Sequence, residues 1–332
     1  MPADFAASFR LSVAPMMDWT DRHCRVFHRA LAPHARLYTE MVHAQAVIHG
    51  DRERLLGFDA VEHPLALQLG GSDPVLLAQA ARIGADWGYD EINLNVGCPS
   101  DRVQAGRFGA CLMLEPPRVG DCFAAMQAAV AVPVTIKCRI GVDQQDEAMS
   151  LFGFVDTLAG AGCRSFIVHA RKAWLQGLSP KENREVPPLN YPLVHALKQA
   201  RPELQLAING GIATLDAARE QLLHMDGVMI GRAAYHDPYL LHQMDRALYA
   251  PEAALQSRID LLRSMRPHVE DLSARGVMLK HFSRHVLGLF LGQPGGRHFR
   301  QILSTDAHRP EAGWDLIERA LAAVEQQQTR AA

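Results

Sequence analysis

Eight short apolar segments rich in β-branched residues recur along the first 231 residues of the chain, and helical patterns lie between many of them. Strands that alternate with helices form parallel βαβ units with right-handed crossovers. Eight such strands in roughly 240 residues predict an α/β fold of the (β/α)8 barrel type, the TIM barrel. A doubly wound sheet is the alternative, although it usually has fewer strands and no G-x-G-x-x-G follows the first strand here. The segments are 11–17, 36–42, 64–70, 89–96, 132–140, 165–170, 204–209 and 226–231.

The pattern changes near residue 242. Residues 245–332 are helical in character and show no strand alternation. Between residues 256 and 310, nine Lys or Arg stand against four Asp or Glu, so this part of the chain is locally basic. We therefore predict a catalytic barrel over residues 1–242 and a smaller all-α helical domain over residues 243–332.

Composition excludes several classes of protein. The chain has 332 residues, 48% of them hydrophobic, and a formal net charge of -2, so it can bury a large core and any basic surface must be local. Its six cysteines lie far apart without a CxxC pair, which is neither a zinc pattern nor a secreted disulfide framework. No apolar run approaches the roughly 20 residues that span a bilayer, and the N-terminus lacks the regions of a signal peptide. We expect a cytoplasmic monomer with reduced thiols, no metal site and no membrane partner.

The chemistry of a barrel lies at the carboxyl ends of its strands, and nearly every predicted strand here ends in a polar or glycine cluster. The fourth strand ends with Asn95, Val96 and Gly97, and Cys98 and Pro99 follow. A thiol at the mouth of a strand, beside an amide and before a proline, is a candidate acid or nucleophile. The alternative is a small buried hydrophobe, which is the role of most free cysteines.

Glycines after the seventh and eighth strands predict a phosphate site. The seventh strand ends in Asn209, Gly210 and Gly211, and the eighth in Gly231 and Arg232. Barrel enzymes often bind a phosphate with the loops after these two strands. Glycines let backbone N–H groups approach phosphate oxygens, and an arginine adds a fork-shaped cationic donor. The alternative is two ordinary turns, each using glycine for a positive φ.

Other strand ends fit flavin mononucleotide (FMN) as the carrier of that phosphate. Residues 15–17, Pro-Met-Met, offer a flat apolar surface to one face of an aromatic ring, and Gln68 can bond a heteroaromatic edge. Lys137 could stabilise negative charge on a reduced flavin. His169 and Arg171 give further donors. Core filling by the methionines and a salt bridge at Lys137 remain the alternatives.

The chain resembles the tRNA-dihydrouridine synthases over essentially its whole length. It is most similar to their A subfamily, which reduces uridines 20 and 20a of the tRNA D-loop. The matching motifs are A-P-M-M-D-W-T-D at 14–21, Q-L-G-G at 68–71, N-L-N-V-G-C-P-S at 93–100, G-R-F-G-A-C-L-M at 106–113, I-K-C-R-I-G at 136–141, V-H-A-R at 168–171, L-S-P-K-E-N-R-E at 178–185, I-N-G-G-I at 208–212 and I-G-R-A-A-Y at 230–235.

The resemblance implies a flavin enzyme that uses NADPH. It implies Cys98 as the proton donor and Asn95 near the target base. The residues implied to contact FMN are Pro15, Met16, Met17, Gln68, Lys137, His169, Asn209, Gly210, Gly211, Gly231 and Arg232.

The implied substrate is tRNA, held by the helical domain and by local basic groups. The implied mechanism delivers hydride from reduced FMN to uracil C6 and a proton from Cys98 to C5. A thiol ordinarily has a pKa near 8.5, so it is mostly protonated at neutral pH. The target base must leave its stack to reach the flavin, and the glycine-rich segment 104–112 is predicted to close over it. The basic candidates are Arg171, Lys181, Arg184, Arg297 and Arg300.

The sequence leaves two other functions open. A flavin barrel that acts on a small pyrimidine would need neither the basic helical extension nor the K-E-N-R segment. A non-catalytic RNA-binding protein with a vestigial barrel would not need Cys98, Lys137 or an intact phosphate site.

Overall fold

Parallel strands form the barrel that the sequence predicts. The computed structural model of the chain describes residues 6–100 and 106–331. Its strands are β1 (Leu11–Val13), β2 (Leu37–Tyr38), β3 (Val42–His43), β4 (Leu65–Gly70), β5 (Glu91–Val96), β6 (Val134–Arg139), β7 (Ser165–His169), β8 (Gln205–Asn209) and β9 (Gly227–Ile230). Neighbouring strands pair in the order β1-β9-β8-β7-β6-β5-β4-β2, and β3 also pairs with β4.

Backbone hydrogen bonds between β1 and the residue before β2 close the ring. Arg36 N donates to Leu11 O at 2.9 Å, and Val13 N donates to Arg36 O at 3.0 Å. Both β2 and β3 pair with β4, so the predicted strand 36–42 occupies one position of the barrel in two short pieces. The ring therefore has eight positions. This confirms the (β/α)8 barrel and excludes a doubly wound sheet, whose edges stay open.

The first strand is shorter than the sequence predicts. It ends at Val13, whereas the prediction extended it to residue 17. Ala14 N still donates to Ile230 O at 2.8 Å, but Pro15 has no N–H and cannot continue the ladder. The chain from Pro15 onward therefore leaves the sheet at its carboxyl end.

Helices follow most strands and form the C-terminal part. Asp73 caps the helix after β4 by accepting from the N–H groups of Val75 and Leu76, with Pro74 in the first turn, as predicted. Beyond Gly231, the residues that the structure describes contain helices and turns but no strand. The α-helices are α1 (Arg22–Leu31), α2 (Ala44–His49), α3 (Arg52–Leu56), α4 (Pro74–Asp86), α5 (Pro116–Ala129), α6 (Glu147–Gly160), α7 (Tyr191–Ala200), α8 (Leu215–Leu222), α9 (Arg232–His236), α10 (Tyr239–Tyr249), α11 (Arg258–Arg263), α12 (Arg266–Ala274), α13 (Lys280–Val286), α14 (Gly296–Asp306) and α15 (Trp314–Ala331).

The chain divides into two compact units. One comprises Met1–Asp18 and Ala35–Gly231, and the other comprises Trp19–His34 and Arg232–Ala332. Helix α1 thus belongs with the C-terminal helices, although it follows the first barrel strand in sequence. The roles predicted for residues 1–242 and 243–332 remain predictions. Within residues 6–100 and 106–331, no helix is both long and apolar enough to cross a membrane.

Contacts of Asp21 tie α1 to α13 inside the second unit. Asp21 caps α1 by accepting from Cys24 N at 3.0 Å. Its carboxylate also lies 2.5 Å from an Arg284 Nη atom and 3.0 Å from His285 Nε2. Burial alone would raise the pKa of Asp21, but the hydrogen bond and charge of His285, with the Cys24 and Arg284 bonds, hold it well below its usual range. The aspartate is therefore ionised at neutral pH.

A buried ion pair lies in the barrel interior. Arg36 Nη1 donates to Glu91 Oε2 at 2.6 Å, and the two side chains are 2% and 0% exposed. Tyr38 OH donates to the other carboxylate oxygen of Glu91 at 2.9 Å, and the Thr135 hydroxyl also donates to it. Arg36 Nε donates to Ser8 Oγ at 3.1 Å. The sequence alone did not predict this cluster; its signal was one charged residue in each of two apolar strand segments, Arg36 and Glu91.

We expect Arg36→Met to lower the free energy of unfolding of the flavin-free protein by about 3–5 kcal/mol, because Glu91 is left buried without its cation. The control is Asp156→Asn, which breaks the solvent-exposed Arg201–Asp156 pair (2.7 Å) and should cost less than about 1 kcal/mol. Urea unfolding followed by circular dichroism measures both variants. Equal losses of unfolding free energy in the two variants would show that the buried Arg36–Glu91 pair stabilises the protein no more than an exposed pair.

Candidate active site

Asn95 fixes the turn that carries Cys98. Asn95 Oδ1 accepts from the N–H groups of Gly97 at 3.0 Å and Cys98 at 2.9 Å. Two N–H groups that converge on one amide oxygen hold the backbone in an Asx turn. Cys98 is partly exposed, unlike a small core hydrophobe, and its Sγ lies 3.6 Å from Ser100 Oγ. A thiol is thereby held at the carboxyl end of β5.

A chain of buried amides connects this turn to Glu91. Asn95 Nδ2 donates to Gln68 Oε1 at 2.8 Å, and Gln68 Nε2 donates to Asn93 Oδ1 at 2.8 Å. Asn93 Nδ2 donates to Thr135 Oγ1 at 2.8 Å, and the Thr135 hydroxyl donates to Glu91. Each bond fixes the orientation of the next amide. Gln68 still has one N–H and one lone pair to offer a ligand, as its predicted role at a flavin edge requires.

The segment after Cys98 packs back onto the barrel. Ala110 N donates to Cys98 O at 2.9 Å, within a 3₁₀ helix over Gly109–Leu114. A Cβ on Gly70 would lie 2.8 Å from the Phe108 ring, so glycine at the end of β4 lets this segment approach. The first two residues of the predicted closing segment, 104 and 105, lie outside the described residues. Its closure over a base stays a prediction.

Cationic groups cluster at the ends of β6 and β7. Lys137 Nζ donates to Asn209 Oδ1 at 3.1 Å, and Asn209 Nδ2 donates to Met229 O at 2.8 Å. Burial, followed by the charge of Arg139, lowers the pKa of Lys137 to about 8. Burial also holds the pKa of His169 well below its usual range, with Arg139 the next cause, so that the ring is neutral at pH 7. No carboxylate among the described residues pairs with Lys137, so the alternative of a salt bridge at Lys137 is not observed there.

The backbone conformation requires glycine at two of the three glycine positions in the predicted phosphate site. Gly210 and Gly211 have φ values of 113° and 71°, which favour glycine. A Cβ on Gly210 would lie 2.7 Å from His169 Cδ2, and Tyr191 OH donates to Gly210 O at 2.5 Å. For Gly231, by contrast, the nearest atom to an added Cβ is Ala14 Cβ at 3.9 Å. The surrounding contacts therefore do not explain glycine at this position, and its place in a phosphate site stays a prediction.

The two methionines at the first strand end lie in different surroundings. Met16 packs against the barrel core that includes Ala14 and Met229, so it partly fills the core. Met17 is 57% exposed and therefore does not fill the core. Pro15 lies between β1 and Met16, and Arg232 begins α9 directly after Gly231. These positions are consistent with the predicted FMN contacts, which remain predictions.

The K-E-N-R segment forms one turn, here called the KENR turn (residues 178–187). Ser179 N donates to Glu182 Oε2 at 2.8 Å, and Glu182 N donates to Ser179 Oγ at 3.2 Å. Lys181 and Arg184 are exposed on this turn, as tRNA contacts must be. Arg171 Nη1 instead donates to Glu185 O at 3.2 Å and to Pro187 O, so it holds the turn in place.

The remaining predicted tRNA contacts lie in the second unit. Arg297 and Arg300 are in the first turns of α14, with Arg297 exposed and Arg300 partly exposed. Within the part of the chain that the structure describes, neither guanidinium pairs with a carboxylate. Both charges are therefore available to a ligand.

A sequence model of the dihydrouridine synthase (Dus) family matches residues 12–328. The chain belongs to this family. A relative named tRNA-dihydrouridine(20/20a) synthase, from Xanthomonas campestris pv. campestris, is 66% identical over 332 residues, 100% of this chain and 98% of its own. Proteins with the same name from Vibrio cholerae serotype O1 and Synechocystis sp. are 53% and 55% identical, covering 97% and 94% of this chain and 98% and 94% of their own. The predicted family and enzyme class are thereby confirmed.

A solved structure of morphinone reductase shares the barrel fold. It superposes with a TM-score of 0.51 at 13% sequence identity and covers 75% of this chain and 87% of its own. At that identity the similarity concerns the fold alone. It agrees with the eight-position ring of parallel strands in the first unit.

We expect Lys137 to react with an amine reagent at about pH 8 faster than a lysine of ordinary pKa, by about 10²-fold for equal access. Its pKa of about 8 leaves much of the amine neutral there. Brief reductive methylation across a pH series, read by peptide mass spectrometry, measures the rate with exposed Lys280 as comparator. The Lys137 rate should level off above about pH 8. A rate that keeps rising in parallel with that of Lys280 would contradict the lowered pKa.

Proposed function

We propose that this dihydrouridine synthase reduces the C5–C6 double bond of uridines 20 and 20a in the D-loop of tRNA. One observation carries the proposal: 66% identity over the full chain to a relative named for that activity. The exposed Lys181, Arg184 and Arg297 support a polyanionic substrate. We further propose that the enzyme acts as a cytoplasmic monomer.

We propose FMN as the bound cofactor and NADPH as its reductant. Family membership supports a flavin, and the space at Gly231 together with the Gly210–Gly211 turn supports a ligand phosphate. Gln68 and Lys137 have the donors that a flavin edge needs. When bound, FMN would supply the hydride that reduces the uracil ring. Neutral His169 would donate or accept at the ligand without adding charge.

Residues of the chain would supply the proton, hold the proton donor and stabilise charge. Cys98 would give a proton to uracil C5, and Asn95 would keep the thiol in place through its two backbone bonds. Lys137 would stabilise negative charge at the reacting centre from the end of β6. The thiol acts as an acid in this scheme and forms no covalent bond to the base.

The test is to supply the purified protein with NADPH and unmodified tRNA, then map dihydrouridine by position. The chromophore released on denaturation identifies the cofactor. Parallel reactions with uracil and uridine monophosphate examine the small-pyrimidine alternative. Turnover of the small molecules without turnover of tRNA would reject tRNA as the substrate. A purified protein that contains no flavin and gains none from added FMN would reject the proposed cofactor. Sedimentation in the same buffer measures the oligomeric state.

We expect Cys98→Ala to keep FMN and NADPH oxidation but to lose tRNA reduction by about 10²–10⁴-fold, because reduction of the flavin needs no proton at uracil C5. Cys163→Ala is the control, since it removes a buried thiol at the start of β7, the opposite end of that strand from the site. Rapid mixing of the reduced enzyme with tRNA measures flavin oxidation directly. Wild-type rates in the Cys98 variant would remove this thiol from the mechanism.

We expect the double variant Arg297→Ala/Arg300→Ala to weaken tRNA binding and to make its salt dependence shallower by up to about two units, because two phosphate contacts are lost. The control is Arg263→Ala/Arg266→Ala, which removes two arginines of the same unit that already pair with Glu318 and Glu270. FMN content and NADPH oxidation should not change in either. If both double variants change the salt slope equally, general charge and not local contact explains binding.

A further inference from the structure

We propose that Arg139 is a positioning residue that couples the KENR turn to the turn carrying Cys98. The inference rests on the proposed function and adds to it a mechanical connection between tRNA binding and the proton donor. Arg139 ends β6 and its side chain is 2% exposed. A side chain so buried is not placed to bind the tRNA backbone, and its hydrogen bonds go to backbone carbonyls of the chain itself.

The guanidinium of Arg139 joins three segments of the barrel rim. Its Nε donates to Gly97 O at 2.9 Å, in the turn beside Cys98. Its Nη1 donates to Lys172 O at 3.1 Å and to Asn183 O at 2.9 Å. These segments follow β5 and β7 and include the centre of the KENR turn. One rigid, planar side chain therefore fixes their separations.

The partners of Arg139 are carbonyl oxygens, and among the described residues no carboxylate neutralises its charge. Burial lowers the pKa of Arg139 to about 10. The nearby Cys98 acts against this shift, and the charges of Arg184 and Arg171 add to it. Buried charges are usually paired with an opposite charge. The uncompensated cation is consistent with a requirement for its fork geometry at this place.

The KENR turn is stiff enough to transmit a displacement. Asn183 is fully buried, its Nδ2 donates to Trp174 O at 2.9 Å and Leu178 O at 3.1 Å, and its Oδ1 accepts from Trp174 N at 2.7 Å. The two exposed cations, Lys181 and Arg184, flank this anchored residue. A phosphate bound to them would act on the Asn183 carbonyl, and thus on Arg139.

Without Arg139, Cys98 would stay on the turn that Asn95 caps. The distance between that turn and the KENR turn would no longer be fixed. Bound tRNA would then present its base to a thiol displaced from its working position. A misplacement of about 1 Å can cost about 10²-fold in rate. The effect should fall on the rate at saturating tRNA more than on affinity, because Lys181 and Arg184 are still present.

The test compares Arg139→Met, Arg139→Lys and Arg139→Ala in the FMN-loaded enzyme. Arg164→Met is the control, since Arg164 Nη1 also donates to backbone carbonyls, those of Ala159 at 2.9 Å and Cys163 at 3.4 Å, at the start of β7. Each variant is measured for FMN content, flavin reduction by NADPH, tRNA affinity, and oxidation of the reduced flavin at saturating tRNA. Arg139→Ala is also assayed with added guanidinium ion, and with urea as a neutral molecule of the same shape.

We expect Arg139→Met to slow tRNA-dependent flavin oxidation by about 10–10²-fold, and to change flavin reduction by NADPH and tRNA affinity much less. Arg139→Lys should stay slow because one ammonium lacks the fork that reaches three carbonyls. Guanidinium, but not urea, should restore part of the rate to Arg139→Ala. The Arg164 control should match wild type.

Several results would overturn the coupling. Wild-type rates in Arg139→Met, or a full rate in Arg139→Lys, would show that the guanidinium bridge is dispensable. Equal losses of flavin reduction and tRNA-dependent oxidation, without guanidinium rescue, would show a purely structural role. If Arg139→Met does not fold, the rate of Arg139→Lys and the guanidinium rescue of Arg139→Ala test the coupling by the same criteria. Failure of wild-type enzyme to reduce tRNA would instead reject the proposed function.

Discussion

The buried pair of Arg36 and Glu91 is the interaction on which the polar interior of the barrel depends. An ion pair with 2% and 0% exposure has lost its hydration, so it needs further hydrogen bonds, such as those with Tyr38, Thr135 and Ser8. Those bonds have a direction. The Thr135 hydroxyl donates to Glu91, which leaves its oxygen to accept from Asn93, and the amides that follow are oriented in turn as far as Asn95. Geometry at the Cys98 turn is therefore set partly from deep inside the barrel.

The rim of the barrel has a different character, because no carboxylate among the described residues pairs with Lys137 or Arg139. Lys137 bonds an amide and Arg139 bonds carbonyls, and burial lowers the pKa of both. Like charges held together in a partly dry site favour an anionic ligand and make bound negative charge more strongly stabilised than in water. Within the proposed function, Lys137 would face the cofactor, and Arg139 would connect the KENR turn to the turn that carries Cys98.

The parts of this structure that sequence could predict are those set by local rules. Strand period, the Asp73–Pro74 helix start and the glycines at 210 and 211 follow from backbone chemistry, and the structure has them where they were expected. The sequence was less informative where a residue or helix contacts a distant part of the chain. Arg171 stays a predicted tRNA contact, and the sequence did not show that its Nη1 also bonds carbonyls of the KENR turn. Nor did the sequence show that α1 groups with the C-terminal helices.

The sequence by itself determined the eight-fold alternation of strands, the family, and the candidate residues at each strand end, because these depend on period and on motifs of adjacent residues. Only the tertiary structure decided which distant side chains meet. Arg36 and Glu91 are 55 positions apart, and Arg139 lies 42 positions from Gly97 and 44 from Asn183. No local pattern encodes such pairs, because closing the barrel brings them together and burial then requires each polar group to find a partner.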